Sequence, residues 1–473
     1  MLYFYIFCFK GGIIVAEKTA TKPFGMSDKL GYMFGDFGND FTFILSSMFL
    51  MKFYTDVMGI SSGIVGGIMA GARIVDAFTD MTMGQIVDRT KPTPVGKFLP
   101  WIRRMAGPVA LASFLMYASW FQDMPMWFKI GWMIFTYILW GSVFYTSINI
   151  PFGSMASAIS ADPKHRAELS TWRTIGATLA QTFIGVVLPL VVYYNDPSGA
   201  QVLSGTRMAI AAAVCSILAV ICYALCYNLT TERVKIEQKT ERFDFIDMVH
   251  QLASNKALIG IVVSSICLLL TQLTLSAMLP YVFPNYFGNT QAQAAATFVG
   301  SAATLILSTF VVQLSSKLGR KELGICAALF TAVVLILAYI LQISNAWVFV
   351  AFYGLAYSGI GCFMLITWAM ITDVIDQTEV ETHERSDGMI YSVYSFARKM
   401  GQAASSGLAG WLLTLVGYSA ATAFEPEVTQ GIYNITCLAP AVGAILLATS
   451  LYFLYPLNKK RVEENATILA NRR

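Results

Sequence analysis

The sequence predicts an all-α membrane protein with twelve transmembrane helices in two six-helix bundles. Of its 473 residues, 56% are hydrophobic and 13% are charged, whereas about 25% of a soluble protein is charged. The mean hydropathy is +0.60, and the apolar runs reach the roughly 20 residues that a helix needs to cross a bilayer. Outer-membrane strands are excluded, because their alternating segments are only about 10 residues long.

Pro, Gly and charged residues divide the apolar runs into predicted helices. The longest charged connection separates six helices from six, a common transporter plan in which the substrate site lies between the halves near the membrane midplane. We therefore expect a disordered extension at 1–25, bundles at 26–229 and 257–457, a linker at 230–256 and a tail at 458–473. The helices are predicted at 29–53, 61–87, 98–121, 127–157, 167–194, 207–229, 257–285, 292–316, 322–343, 346–374, 387–417 and 430–455.

The distribution of Lys and Arg predicts the orientation, since basic residues are retained on the cytoplasmic side. Connections on one side hold most of them, and the opposite connections hold only Lys52, Lys129 and Arg207. Both termini are therefore expected in the cytoplasm. The net charge is only +4, so we expect membrane lipid and no nucleic acid among the partners.

Predicted helix one carries Asp36 and Asp40 four residues apart, with Asn39 between them. A carboxylate beside an amide is suited to accept hydrogen bonds from sugar hydroxyls. We expect Asp40 to bind substrate, and Asp36 to pair with a cation of the other bundle. The alternative is helix packing around Gly35 and Gly38.

Predicted helix two carries Arg73, Asp76 and Asp80, whose spacing places them on one face. Each charge at the centre of a membrane helix costs ~2.5–3.5 kcal/mol, so this face cannot meet lipid. The two carboxylates repel each other unless a cation or a proton lies between them. The sequence predicts a cation site here, and the alternative is a structural salt bridge with Arg73.

Predicted helix four contains Pro151, which leaves the carbonyl of Ser147 without its helical donor. This carbonyl, the Thr146 hydroxyl and the Asn149 amide form a polar patch in apolar surroundings. Two interpretations stay open, a substrate-contacting patch and a plain proline kink.

Predicted helices five and eleven supply further charges. The forked guanidinium of Arg173 can bind hydroxyls or a carboxylate, or can serve as a structural partner of Asp40. Arg398 and Lys399 are adjacent and point about 100° apart, so they cannot serve one site equally. Lys399 is placed to approach the acids of helix two, and the alternative for both bases is charge balance.

Two further groups of candidate residues lie on or near predicted helix ten, one for substrate stacking and one for a gate. Trp368 and Tyr394 are candidates to stack on a sugar ring, although most aromatic residues of such a chain serve packing. At the cytoplasmic end of this helix the predicted gate consists of two acids and two bases from neighbouring loops. These are Asp373, Asp376, Arg166 and Arg320. The alternative is a solvated run of charges.

From about Met26 onward the chain resembles the glycoside-pentoside-hexuronide:cation symporter family of the major facilitator superfamily. The resemblance rests on six motifs: Tyr54-Thr55-Asp56, Ala72-Arg73 to Asp76 to Asp80, Gly96-Lys97-Phe98-Leu99-Pro100-Trp101, Asn149-Ile150-Pro151, Asp373 to Asp376, and Arg398-Lys399-Met400-Gly401.

The resemblance implies Na+, Li+ or H+ binding at Asp76, Asp80 and Thr146. It also implies a sugar and coupling network that includes Asp40, Arg173 and Lys399. Two positions differ from the melibiose-transporting branch of the family, which has an acid in place of Asn149 and a tryptophan in place of Gly153. Asn149-Ile150-Pro151, Arg398-Lys399 and Pro426-Glu427-Val428 are more similar to the glucuronide transporter branch.

We therefore expect a symporter in the inner membrane of a bacterium. It would import a glycoside, pentoside or hexuronide by alternating access, as a monomer, with Na+ or H+ as coupling ion and no other cofactor. The alternatives are an exporter or carrier of another amphiphilic or anionic solute on the same fold, and a sugar receptor that does not transport. No enzyme is expected, because the sequence has no zinc motif, nucleophile elbow or His on a membrane helix.

Overall fold

The computed structural model describes residues 23–234, 255–383 and 387–472, which form thirteen helices and one short hairpin. The first half contains α1 (Met26–Leu45, continued by the π-helical Ser46–Leu50 and by Met51–Asp56), α2 (Ser62–Arg89), α3 (Leu99–Leu115), α4 (Met126–Ile138, continued by the π-helical Leu139–Tyr145 and by Thr146–Ile159), α5 (Pro163–Val191) and α6 (Gly205–Leu229). Strands β1 (Tyr193–Asn195) and β2 (Gln201–Leu203) pair between α5 and α6.

The second half contains α7 (Lys256–Tyr281, continued by the π-helical Val282–Tyr286), α8 (Thr290–Leu318), α9 (Arg320–Leu341), α10 (Ala346–Thr382), α11 (Asp387–Leu415), α12 (Pro426–Phe453) and α13 (Lys459–Arg472). Each of the twelve predicted helices corresponds to one of α1–α12. Two features were not predicted, the β1–β2 hairpin and the helical tail α13. Helix α10 also extends beyond its predicted end at 374, because its polar continuation packs on α13, where Asn465 donates to Gln377 at 2.7 Å.

By length and composition, eight of the described helices are apolar enough to cross a membrane, namely α4–α10 and α12. Of the other four, α1, α2, α3 and α11, three carry charged residues in mid-span, namely α1, α2 and α11, while α5 among the eight carries one, Arg173. These charges lower the hydropathy of α1, α2 and α11, and they are costly in contact with lipid.

The two halves meet along α2 and α11 on one side and along α5 and α8 on the other. We call the end where α2 leads into α3 the inner end, and the end where α1 leads into α2 the outer end. The charge distribution predicts that the inner end is cytoplasmic.

The linker begins as part of the first half. The carboxylate of Glu232 accepts hydrogen bonds from the backbone N–H groups of Lys97, Phe98 and Leu99 at 2.7–2.9 Å, where the N-terminus of α3 favours an anion. Arg233 pairs with Asp28 at 2.8 Å. The rest of the predicted linker up to 254 and residues 1–22 of the predicted extension lie outside the described residues.

The outer end is closed by a buried polar network between the halves. Lys52 of α1 is 1% exposed and pairs with Asp56 at 2.8 Å. It also donates to Asn285 at 2.7 Å and to Tyr418 at 2.6 Å, and the Tyr418 hydroxyl donates to Asp56 at 2.7 Å. The charge distribution places Lys52 in a connection between helices, whereas in the structure it is buried, because its partners Asn285 and Tyr418 come from the second half.

Close packing of α2 on α11 depends on glycine. A Cβ atom on Gly66 would lie 2.9 Å from the Cα of Gly410 and from the carbonyl oxygen of Ser406, whereas a Cβ on Gly67 meets nothing within 4 Å. We expect Gly66→Val to reduce the free energy of unfolding by about 1–3 kcal/mol through overpacking. Gly67→Val is the matched control and should change it little. Thermal unfolding of both variants in detergent tests this, and equal melting temperatures would contradict it.

Candidate functional site

The acids of α2 lie at mid-depth, and each has a basic partner. Asp76 is buried; it accepts from Arg73 at 3.0 Å and from the hydroxyl of Ser142 in α4 at 2.5 Å. The Arg73 guanidinium lies 5.0–5.5 Å from three aromatic ring centroids, which exclude lipid from this charge. These rings belong to Phe43, Tyr137 and Trp140.

Asp80 joins α2 to both α4 and the second half. It accepts from the Thr146 hydroxyl at 2.7 Å and forms an ion pair with Lys399 of α11. Lys399 also donates to the backbone carbonyl of Asp76 at 3.3 Å. The prediction that Lys399 approaches the acids of helix two is confirmed.

The π-helical segment of α4 explains how its oxygen atoms reach α2. The Thr146 hydroxyl oxygen, which donates to Asp80, also lies 3.1 Å from the carbonyl oxygen of Gly141, five residues earlier. A Cβ on Gly141 would lie 3.2 Å from the carboxylate of Asp76, so the glycine permits the close approach of the two helices. Such π-segments are frequent at functional sites.

The partner of Asp36 in α1 differs from the expectation. Asp36 accepts from the Nε of Arg173 at 2.8 Å, so its partner comes from α5 of the same half and not from the other bundle. The alternative interpretation of Arg173, a structural pairing with Asp40, is not found either, because Arg173 pairs with Asp36, one turn closer to the inner end. Asp40 has no hydrogen-bond or ion-pair partner among the described residues.

The Asn149 amide of α4 lies beside α1. Its Oδ1 accepts from Asn39 at 3.5 Å, and Asn39 accepts from the Tyr223 hydroxyl at 2.8 Å. A Cβ on Gly153 meets nothing within 4 Å, and the Arg173 side chain is 40% exposed at mid-depth. A charge exposed at this depth indicates a water-filled cleft and not lipid.

In the second half, α10 and α11 bring together two aromatic side chains and one base. Tyr394 is buried and meets Trp368 edge to face at a centroid distance of 5.4 Å. Trp368 is 51% exposed, and the Arg398 guanidinium lies 5.8 Å from its ring centroid. Arg398 and Lys399 therefore point to different partners, as their helical spacing predicts.

The four residues of the predicted gate are not all in contact. Arg320 pairs with Asp373 inside the second half, whereas Arg166 donates to the carbonyl of Ala161 at 3.4 Å. Asp373 and Asp376 line a cavity of about 290 Å³ beneath α13. The gate across the halves stays a prediction, because a gate also needs a conformation in which the inner end closes.

One residue of this site was not predicted. Ser142 lies four residues before Thr146, and the i, i+4 repeat of hydroxyls on one face of α4 was the sequence signal for it. No group of three or more His, Cys, Asp and Glu is placed to hold a metal ion in the described part of the chain.

Comparison with known proteins agrees with this architecture. Residues 31–459 match the family model described as MFS/sugar transport protein. An uncharacterized symporter of Bacillus subtilis, YjmB, is 30% identical over 451 residues, 94% of this chain and 96% of that protein. The glucuronide carrier protein homolog of Escherichia coli is 28% identical over 447 residues, 94% of this chain and 95% of that protein.

A solved structure shows the same fold. The D-xylose-proton symporter superposes with a TM-score of 0.62 at 15% identity, covering 91% of this chain and 97% of that one. The resemblance to the symporter family and the absence of an enzymatic role are confirmed by the family match and by the relatives. The chain belongs to the MFS/sugar transport protein family and is a multi-pass membrane transporter with the major facilitator fold.

Proposed function

We propose that this transporter is a cation-coupled symporter that imports a glycoside, pentoside or hexuronide by alternating access, with Na+ or H+ as coupling ion. The observation that carries the proposal is the ion pair of Lys399 with Asp80. It joins α11 of the second half to the pair of acids in α2, at the depth where symporters bind substrate and ion.

The coupling follows from electrostatics. A cation that binds between Asp76 and Asp80 competes with the Lys399 ammonium for the same negative charge. Its binding would release Lys399 and weaken this contact between the halves. Ion binding thereby changes the free energy of the rocking motion. An inward membrane potential adds ~2.3 kcal/mol per charge per 100 mV.

The available ligands suit a hard monovalent cation or a proton. Asp76, Asp80 and Thr146 offer oxygen atoms, the ligand type that hard cations prefer, and Ser142 adds a fourth. With two carboxylates and two basic neighbours, Arg73 and Lys399, the site has little net charge to hold a divalent ion. This charge balance favours Na+ or H+.

The sugar would bind in the cleft between α1, α4 and α5 on one side and α10 and α11 on the other. Asp40 and Asn149 supply hydrogen-bond partners for hydroxyls, and the exposed ring of Trp368 supplies an apolar surface for stacking. The side chain of Tyr394 packs edge to face against that ring. The name of the Escherichia coli relative, a glucuronide carrier homolog, supports a uronide within this substrate class.

We also propose a cellular location and a transport cycle for the protein. The protein would act as a monomer in a bacterial inner membrane, with the inner end and both termini in the cytoplasm. Asp373, Asp376, Arg166 and Arg320 would close that end when the outer network opens. Modest ion pairs suit such a gate, because they form and break without trapping one state.

Uptake by proteoliposomes tests the proposal. Labelled glycosides, pentosides and uronides are offered with an inward Na+ gradient, an inward H+ gradient or neither. We expect at least one sugar to accumulate above its outside concentration with one of the gradients. Uptake that stops at the outside concentration under every gradient would contradict symport.

A further inference from the structure

The middle of the bundle contains as many basic as acidic side chains, and most of them are paired. Arg73 pairs with Asp76, Lys399 with Asp80 and Arg173 with Asp36. Each of these three pairs is in direct contact, and each lies within or between helices that carry the candidate site. Two of the mid-span charges are left over, the carboxylate of Asp40 and the guanidinium of Arg398.

Arg398 has no hydrogen-bond or ion-pair partner among the described residues. Its guanidinium carbon lies 5.8 Å from the centroid of the Trp368 ring. A guanidinium beside an aromatic face still has its N–H groups available in its own plane. A charge kept at this depth without a partner is costly, which indicates that its partner is a ligand.

Asp40 is the matching acid on the other half. The neighbouring base Arg173 is already bound to Asp36. Arg398 attracts both Asp36 and Asp40 through space, without contact. The unpaired base of α11 and the unpaired acid of α1 therefore lie on opposite halves, close enough for their charges to interact.

We propose that Arg398 selects an acidic sugar, by binding the carboxylate or sulfonate of the substrate while a sugar hydroxyl donates to Asp40. This inference rests on the proposed sugar transport and names the substrate class within it. The planar fork of Arg fits two oxygen atoms of an anion at once. A substrate that carries its own negative charge neutralises Arg398 and bridges the two halves in one step.

Matched sugars test the assignment. Uptake is measured in proteoliposomes for methyl glucoside, methyl glucuronide and the 6-sulfonate of methyl glucoside, which differ only at C6. We expect the wild-type protein to prefer at least one acidic sugar over the neutral one by about 10- to 100-fold in kcat/KM, the range for hydrogen bonds to a charged group. The carboxylate and the sulfonate are separate arms, so the experiment also distinguishes the two anions.

Variants of Arg398 test whether this side chain causes the preference for acidic sugars. Arg398→Gln should remove it, mainly by raising KM for the acidic sugar, and Arg398→Lys should keep part of it. Arg104→Gln, which changes an exposed base at the inner end, is the control and should behave as wild type. The cation dependence of thermal unfolding should be the same in all of these proteins, because Asp76 and Asp80 are untouched.

Two results would overturn the inference and leave symport standing: equal cation-driven uptake of neutral and acidic sugars by the wild type, or an unchanged acidic preference in both Arg398 variants. The second result would assign Arg398 to charge balance or to pairing with Asp40. Failure of every sugar to respond to a cation gradient would instead contradict the proposed function itself.

Discussion

Asp76→Asn and Asp80→Asn should each abolish sugar accumulation driven by a cation gradient. Either change removes half of the negative charge that would hold the ion, while the amide keeps the size of the side chain. In Asp80→Asn the ammonium of Lys399 also loses its counter-charge, so that contact between the halves weakens without any ion. We expect accumulation to fall to the level of liposomes that contain no protein.

Exchange experiments separate coupling from folding. Both variants should still exchange labelled for unlabelled sugar across the membrane, since Asp40 and the aromatic group are unchanged. Asp123→Asn, in the exposed connection between α3 and α4, is the matched control and should accumulate sugar normally. Normal Na+- or H+-driven accumulation by either α2 variant would remove these acids from the coupling site.

Lys52→Met should open the outer end. The change leaves Asp56 in the closed interface with only hydroxyl donors, and removal of one partner of a buried ion pair costs about 3–5 kcal/mol. That cost applies to the closed conformation, because an open outer end lets water hydrate the carboxylate. Each 1.4 kcal/mol changes an equilibrium constant tenfold. The ratio of outer-open to outer-closed protein should therefore rise by roughly 100-fold or more.

Cysteine labelling measures this shift. Ser62 is 1% exposed and contacts Thr414 across the halves at 3.0 Å, so Ser62→Cys, in a protein without its native cysteines, reports on closure. A membrane-impermeant maleimide should label it faster from the outer side when Lys52 is Met. Adding Asp56→Asn should reverse most of the gain, and Lys29→Met, which breaks the half-exposed pair with Glu168, should have no effect. Equal labelling in all of these proteins would show that the network does not hold the outer end closed.

The sequence predicts well those features that depend on periodicity along a single helix. The face formed by Arg73, Asp76 and Asp80 follows from their spacing, and the divergence of Arg398 and Lys399 follows from the 100° step between neighbours. Each set is found as expected. Each of the twelve predicted helices also has a counterpart among the described helices, whereas the tail helix α13 was not predicted.

Features set by contacts between helices were not predictable in the same way. Asp36 and Asp40 have the same local pattern, and only the position of α5 decides that Arg173 reaches Asp36. The burial of Lys52 depends on Asn285 and Tyr418, more than 200 residues away in the sequence. The π-helical segment of α4 likewise lies against Asp76 of α2, and its sequence has no feature of its own that predicts it.

Ion movement driven by sugar is the most direct test of cation coupling. Proteoliposomes are loaded with a Na+-sensitive or a pH-sensitive dye, with equal cation concentrations inside and outside, and a transported sugar is then added outside. Coupling is reciprocal, so the downhill entry of sugar should carry Na+ or H+ inward although no ion gradient is imposed. Asp80→Asn should prevent this ion movement. Sugar entry in the wild-type protein with neither ion moving would contradict the account.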